Sequence, residues 1–390
     1  MNQTKLQFRT GPAAPKVLGV LAAIGLATFA AGLIQDAPRA WSSWLLAAFY
    51  FVTLALSACF FLAFNYLAKS GWFVALRRVP EAMTAWLPVA FVSMLVLALG
   101  TGQLYEWVQP HGEHAHVIAH KSPFLNQWFF AARIPIYFAA WIFLSRKLAA
   151  NSRAQDADGD LRHTVSSWKT SAAFMVLFAL TLSLASFDWL MSLDATWFST
   201  IFGIYQFAGL FEAGIATILV VVILLRRRGY LAEVNDSHLH SLGQWLIATS
   251  VFWAYIWFSQ FMLIWYSNIP EETSYYLIRS QGEWWTVSFI VNPAVNFVLP
   301  FILLLPRAAK RSPRMLLRVS LIVLVGHWID LWAGIMPRLM PQGPTFGYVE
   351  AGVTLGFGAA FALVILKKLE RAPLVPLKDP YLEESLHHNI

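Results

Sequence analysis

The stretch SFDWLMSLDATWFSTIFGIYQFAG, residues 186–209, contains a turn between two long apolar runs. Asp188 and Asp194 stand in this turn, where their charges can reach the surface of a membrane. Glu212 follows on the second run, near the middle of an otherwise apolar span. Because an ionisable group at that depth is costly, it is a candidate functional residue. The stretch therefore predicts a membrane protein with a polar interior.

The composition agrees with this class of protein. Of 390 residues, 58% are hydrophobic and only 13% are charged, whereas soluble domains carry roughly 25% charged residues. The single cysteine, Cys59, excludes a disulfide framework, an all-cysteine iron–sulfur cluster and c-type haem attachment within this chain. The net charge of +7 follows from the positive-inside rule and needs no nucleic-acid partner.

Ten apolar segments are long enough to cross a bilayer, and each must be helical because lipid cannot satisfy an open backbone. In order, they are Val17–Ile34, Trp44–Leu67, Ala82–Leu104, Trp128–Leu144, Ser171–Phe187, Phe198–Leu225, Leu242–Tyr266, Trp284–Leu305, Val319–Ile335 and Ala351–Leu366. We predict an all-α integral membrane protein with three parts. These are a polar segment at 1–16, a transmembrane domain at 17–370 and an irregular docking tail at 371–390.

Lysine and arginine residues fall mostly on one side of this layout. The two ends and the connections after segments 2, 4, 6 and 8 carry 23 of the 28 basic residues. The connections after segments 1, 3, 5, 7 and 9 carry 4, and Arg133 lies within segment 4. The positive-inside rule therefore predicts that both termini are cytoplasmic.

The order of tryptophans indicates an internal repeat with a period of four segments. Trp86 and Trp245 lie near the starts of segments 3 and 7, and Trp189 and Trp328 lie at matching places in segments 5 and 9. Such a parallel repeat favours two four-helix bundles, with one flanking helix on each side. The bundles would comprise segments 2–5, at about 44–190, and segments 6–9, at about 197–340.

Polar side chains recur at membrane depth. His327 and Asp330 share one face of segment 9, and Arg133 needs a counter-charge that Asp188, Glu212 or Asp330 can supply. Amides at this depth often only bond helices together, whereas ionisable groups often mark proton relays. The candidate members of a proton path are Glu212, Asp330, His327, Asp188, Asp194, Tyr205, Gln206, Gln260 and Arg133.

Four histidines, His111, His114, His116 and His120, lie in the connection after segment 3. Metal binding is one interpretation, but docking of an extramembrane partner is favoured, because such tracts often form polar interfacial loops. His327 is the only histidine within a predicted segment, so a bis-histidine haem in the membrane is not expected. We therefore expect no metal or cofactor in this chain.

The run FDWLMSLDATWFSTIFGIYQFAG, the ten-segment layout and the tail PLVPLKDPYLEESLHHN resemble the membrane subunits of bacterial alternative complex III, in the polysulfide-reductase/NrfD-like family. The resemblance implies a subunit, not catalytic alone, of a quinol:electron-acceptor oxidoreductase in the bacterial inner membrane. The implied partners are a sister NrfD-like subunit, a periplasmic iron–sulfur subunit, multihaem cytochrome c subunits, small membrane subunits and a terminal oxidase. Haem c and iron–sulfur clusters would belong to those partners, and menaquinol or another quinol would bind in the complex.

Quinol oxidation in this family is assigned to the sister subunit. Where Trp-His would be expected in the turn after segment 5, this chain has Trp197 and Phe198, and Gly203 and Tyr205 replace a Pro-rich stretch. These differences favour a cofactor-free subunit that carries a proton path. The alternatives are a quinol-oxidising subunit that uses Asp188, Asp194 or His327, a secondary transporter, and a scaffold without conduction.

The basic asymmetry predicts the topology directly. A reporter fused after Arg371 should be active on the cytoplasmic side, and one inserted at 111–120 should be active on the periplasmic side. Paired alkaline phosphatase and fluorescent-protein fusions measure this. The opposite result at either position would contradict the predicted topology and the depth assigned to each polar residue.

Overall fold

The computed structural model describes residues 7–110 and 115–390, and these residues form helices and loops without a strand. Among them are ten helices long and apolar enough to span a membrane. In order, α1 to α10 are Ala13–Gln35, Ala37–Leu67, Val74–Leu104, Gln127–Asp158, Leu161–Leu193, Phe202–Arg227, Asp236–Ser267, Gly282–Leu304, Pro313–Ile335 and Tyr348–Leu369. The predicted all-α, multi-pass membrane protein with about ten helices is confirmed. Shorter helices, including Ala115–His120 and Pro270–Arg279, lie in the connections.

Polar residues at the helix ends explain where several helices begin. The side chains of Asp36, Asn126, Asp160 and Ser312 accept hydrogen bonds from backbone N–H groups in the first turns of α2, α4, α5 and α9. These caps satisfy donors that have no partner within the helix. Gly159 ends α4 with a φ of 74°, which a residue without a side chain adopts at little cost.

The helices form two closed rings of four. In the first bundle α2 packs on α3 and α5, and α4 packs on both α3 and α5. In the second bundle α6, α7, α8 and α9 repeat this pattern in the same order. The lead helices α2 and α6 pack against each other, and the apolar windows of these two helices are 100% and 83% buried. The internal repeat inferred from the tryptophans therefore matches the packing.

The flanking helices differ from expectation. The prediction placed one on each side of the paired bundles, whereas α1 and α10 pack on each other and both lie against α2. The reason is a close approach of glycines: a Cβ atom on Gly25 would lie 2.5 Å from the Cα atom of Gly356. Small residues at such a crossing allow two helices to associate through backbone contact in lipid.

The two ends of the bundles differ in character. We call the end that holds the connections after α1, α3, α5, α7 and α9 the loop face. We call the other end, which holds the remaining connections and the tail at 371–390, the basic face. On the loop face, Arg338 donates to the carbonyl of Leu193 at 2.7 Å, and it forms ion pairs with Glu106 and Asp194. These bonds fix the loop face across both bundles.

The tail at 371–390 docks on the basic face of its own chain. Nη1 of Arg77 lies 2.5 Å from Oδ2 of Asp379, and both side chains are buried. The hydroxyl of Ser385 donates to the carbonyl of Trp72 at 2.8 Å, and the amide of Asn235 donates to the carbonyl of His388 at 2.8 Å. The tail thus joins the connection after α2 to the start of α7, and so bridges the two bundles.

The ion pair between Arg77 and Asp379 should hold the tail in place. Breaking a buried pair costs about 3–5 kcal/mol, and Glu81, 3.4 Å from Arg77, offsets part of this. We expect Asp379→Asn to speed tryptic cleavage at Lys378 at least about tenfold, since 1.4 kcal/mol is a factor of about ten. The control is Glu383→Gln in the exposed part of the tail. Equal cleavage rates in the two variants would contradict the anchoring role.

Candidate functional site: buried carboxyl groups in the second bundle

Asp330 on α9 lies at the centre of the second bundle, where it is 7% exposed. It accepts one hydrogen bond from each of the other three helices. Nδ2 of Asn292 on α8 donates to Oδ1 at 2.7 Å, and Nε1 of Trp253 on α7 donates to Oδ2 at 3.2 Å. The hydroxyl of Tyr205 on α6 also donates to Oδ1. The carboxyl group therefore connects all four helices of the bundle.

An irregular winding of α8 supports this arrangement. The helix is π-helical at Thr286–Val291 and Ala294–Val298, on either side of Pro293. Such turns change which side chains face the bundle, and they recur at functional sites. Nδ2 of Asn296 donates to Oδ1 of Asn292 at 2.6 Å. This bond orients the Asn292 amide so that its N–H groups point at Asp330.

A pocket leads from Asp330 toward the loop face. Its polar lining includes Tyr205, Gln206, Gln260, Arg279, Asn292 and Asp330. Its free volume is about 40 Å³, which is room for roughly three water molecules at about 10–15 Å³ each. The structure thus brings both glutamine candidates to the same cavity as the central carboxyl group.

The short helix Pro270–Arg279 covers the pocket. The ring of Tyr275 stacks on that of Trp197 with 4.1 Å between centroids, and the guanidinium of Arg279 lies 3.4 Å over the Tyr275 ring. Arg279 donates to the carbonyl of Ala333 at 3.0 Å and to that of the next residue at 2.6 Å. A cation is favourable at these last carbonyls of α9 because of the helix dipole.

His327 lies one turn inward from Asp330 on α9, between the two bundles. Its Nε2 is 3.0 Å from the hydroxyl of Thr53, which itself donates to the carbonyl of Tyr50 at 2.6 Å. Because the hydroxyl has one proton, Nε2 of His327 must be the donor, which leaves Nδ1 as an acceptor. A Cβ atom on Gly209 would lie 3.1 Å from Nδ1 and 3.6 Å from Oδ2 of Asp330. The missing side chain thus keeps the histidine and the carboxyl group accessible to each other.

Glu212 is the second buried carboxyl group of this bundle, with 1% exposure. Its Oε1 accepts a hydrogen bond of 2.6 Å from the hydroxyl of Ser250 on α7. Ser250 lies three residues before Trp253, so the two carboxyl groups are about one helical turn, roughly 5 Å, apart along α7. Within the described residues, neither Glu212 nor Asp330 forms an ion pair with a lysine or arginine.

Arg133 and Asp188 lie elsewhere, in the first bundle. Nε and Nη2 of Arg133 each donate to Asp188 at 2.7 Å, and the hydroxyl of Tyr137 donates to Oδ2 at 2.6 Å. The guanidinium also lies about 4 Å over the rings of Phe124 and Phe129 (4.1 and 4.2 Å). Of the three predicted counter-charges for Arg133, the structure selects Asp188. This pair is therefore separate from the carboxyl groups of the second bundle.

Asp194 is the predicted candidate that remains to be placed. Asp194 lies on the loop face, where its Oδ1 is 3.3 Å from Arg338 and accepts a hydrogen bond from the hydroxyl of Thr196 at 3.0 Å.

Three residues that were not predicted also belong to the site, namely Trp253, Ser250 and Arg279. Tryptophan and serine are common in apolar spans, and Arg279 lies in a connection, so nothing in the sequence marks these three residues as polar contacts of the interior.

The expectation that His327 is the only histidine within a spanning helix is wrong. α7 begins at Asp236, before its apolar run, because Asn235 caps it, and His238 and His240 therefore lie within the helix, where both are buried. His163 also lies in a spanning helix, near the start of α5. His116 and His120 lie in Ala115–His120 with ring centroids 5.1 Å apart, and His111 and His114 fall outside the described residues. In the described part of the chain, no group of three or more His, Cys, Asp or Glu side chains could hold a metal ion.

Comparison with models of protein families finds no match for this chain, and no curated protein matches it either. The resemblance to NrfD-like subunits depends on the sequence motifs alone.

The pair in the first bundle should be structural. Asp188→Asn leaves Arg133 buried without a counter-charge, and we expect a loss of about 3–5 kcal/mol in the free energy of unfolding. Tyr137→Phe removes one hydrogen bond and should cost about 1 kcal/mol. Unfolding in mixed detergent micelles measures both changes. If the two variants lose the same stability, Arg133 has another counter-charge.

Proposed function

We propose that this chain is a cofactor-free membrane subunit of a quinol:electron-acceptor oxidoreductase of the alternative complex III type. In this proposal the second bundle contributes a transmembrane proton path, and quinol is oxidised elsewhere in the complex. The sequence resemblance supports the assignment to the complex, and the basic asymmetry supports an inner-membrane location with cytoplasmic termini. The proton path is supported by the contacts of Asp330 and Glu212.

One observation supports the proposal of a proton path most directly. Asp330 and Glu212 are buried carboxyl groups, and neither forms an ion pair with a cation among the described residues. Hydrogen bonding alone does not require an acid at these positions, since glutamine at 212 would also accept a bond from Ser250. An isolated ionised carboxylate is costly in an apolar interior. An acid without a counter-charge at such a position is explained if its proton is used. Asp188 in the same chain is different, because it is paired with Arg133.

The order of the groups suggests a route. The pocket below the loop face reaches Asp330 through Gln206 and Gln260. Asp330 is followed inward by Nδ1 of His327 and then by Glu212. Farther toward the basic face, the hydroxyls of Ser57 and Ser320 are buried and have no hydrogen-bond partner among the described residues. These hydroxyls are available to bond water along the inner half of the route.

The pocket beside Asp330 has a free volume of about 40 Å³, which is room for a few water molecules. This supports a path for protons at that place. In this proposal, as the resemblance implies, quinol is oxidised in the sister subunit. The other partners are those that the resemblance implies, namely an iron–sulfur subunit, multihaem cytochromes c, small membrane subunits and a terminal oxidase.

A secondary transporter is the second candidate, because paired repeats around a polar site are typical of that class. Mild detergent extraction distinguishes the two. A subunit of the complex should co-purify with haem proteins in a fixed ratio, whereas a transporter should be extracted alone and catalyse substrate uptake in vesicles.

The central test is the proton-to-electron ratio of the complex reconstituted in vesicles. Glu212→Gln keeps the volume and the bond to Ser250 but removes the exchangeable acid. We expect normal assembly and haem content, with fewer protons released per electron. The matched control is Glu350→Gln, a buried carboxyl group on α10 that is paired with Arg39 at 2.7 Å; it should leave the ratio unchanged.

Glu212→Leu separates conduction from structure, since it also removes the hydrogen bond to Ser250. A structural role predicts an unchanged ratio in the Gln variant and poor assembly only in the Leu variant. That pattern would refute the proton path through Glu212, even if the chain does belong to the complex.

A further inference from the structure

A cleft on the basic face lies between α4 and α10, with α3 as its floor. The floor is formed by residues 84–88, and the walls by residues 142–153 of α4 and 364–371 at the end of α10. Its volume is about 550 Å³. It belongs to the first bundle and its flanking helix, so it is separate from the carboxyl site.

The walls of the cleft are strongly basic. Its cationic residues are Arg146, Arg153, Lys367, Lys368 and Arg371. Four of these side chains are exposed, Lys368 is half-buried, and none forms an ion pair with a carboxylate among the described residues. The neighbouring acid, Glu81, already binds Arg78 at 2.7 Å and Arg77 at 3.4 Å. The cleft therefore presents five cationic side chains that have no ion-pair partner among the described residues, within one concave surface.

The cleft continues into an apolar surface. Leu87 and Ile142 line it, and beyond them Val89, Val92 and Phe143 are 40%, 57% and 67% exposed on α3 and α4. Large apolar side chains that are exposed on spanning helices face acyl chains. A molecule that fills the cleft would meet phosphate-binding cations at one end and lipid-facing side chains at the other.

We propose that this cleft binds an anionic phospholipid, with the phosphates of the headgroup held by the basic residues and the acyl chains along α3 and α4. Five cations favour a lipid with two phosphates over one with a single charge. Basic pockets between spanning helices on the cytoplasmic side suit such headgroups. The adjoining apolar surface favours a lipid over a soluble polyanion, because a soluble anion would leave that surface unused.

The test compares two variants of the full-length protein, purified with whatever subunits it retains. Arg146→Gln, Arg153→Gln and Arg371→Gln together remove three charges from the cleft. The control combines Lys147→Gln, Lys169→Gln and Arg228→Gln, which removes three exposed charges that do not line it. Native mass spectrometry measures binding of cardiolipin, phosphatidylcholine and inorganic pyrophosphate.

Each cation near an anionic headgroup strengthens binding by roughly fivefold. We expect the cleft variant to bind cardiolipin at least about tenfold more weakly than the unmodified protein, while the control variant and phosphatidylcholine binding are unchanged. An equal loss in both variants would show that only net charge matters, and would overturn the site. Pyrophosphate binding as tight as that of cardiolipin would overturn the lipid assignment in favour of a soluble polyanion.

Discussion

Asp330 accepts hydrogen bonds from α6, α7 and α8, and this demand governs how the four helices of the second bundle meet. In lipid, a buried polar group must find its partners within the protein. Tyr205, Trp253 and Asn292 can all reach one carboxyl group because α8 is wound irregularly around Pro293 and Gly209 has no side chain. Ser288, Phe289 and Asn292 of this irregular stretch also line the pocket below the loop face, so the winding of α8 shapes both the hydrogen bonds to Asp330 and the pocket.

The two bundles use the same architecture for different chemistry. In the first, Asp188 is neutralised by Arg133 through two bonds of 2.7 Å, and Tyr137 adds a third. Such an ion pair costs much free energy to break. Asp188 therefore cannot take up a proton without that loss. In the second, Asp330 and Glu212 are held by neutral donors alone. The two bundles thus share a packing pattern, but only the second contains buried carboxyl groups without a cationic partner among the described residues.

Hydropathy suffices to predict the ten spans, because lipid permits few alternatives. The ion-pair partner of Arg133 cannot be predicted in this way, because the sequence offers three possible counter-charges. The packing of α4 against α5 selects Asp188. The burial of His238 was missed because the cap at Asn235 extends α7 beyond its apolar run. Arg279 was counted as a connection residue, although it binds backbone carbonyls over the pocket. Side-chain contacts of this kind depend on tertiary geometry rather than on periodicity.

The charges of the basic face serve more than one purpose. Orientation in the membrane requires only that basic residues accumulate on one side, and it does not require that any of them be buried or paired. Arg77 is nevertheless buried against Asp379 of the tail, and Arg78 is held by Glu81 and Asp156. These arginines are therefore structural, since the tail closes over them and links the bundles. The cations of the cleft beside α10 have no such partners, so the basic residues from which the orientation is predicted also leave part of this face open to anionic groups.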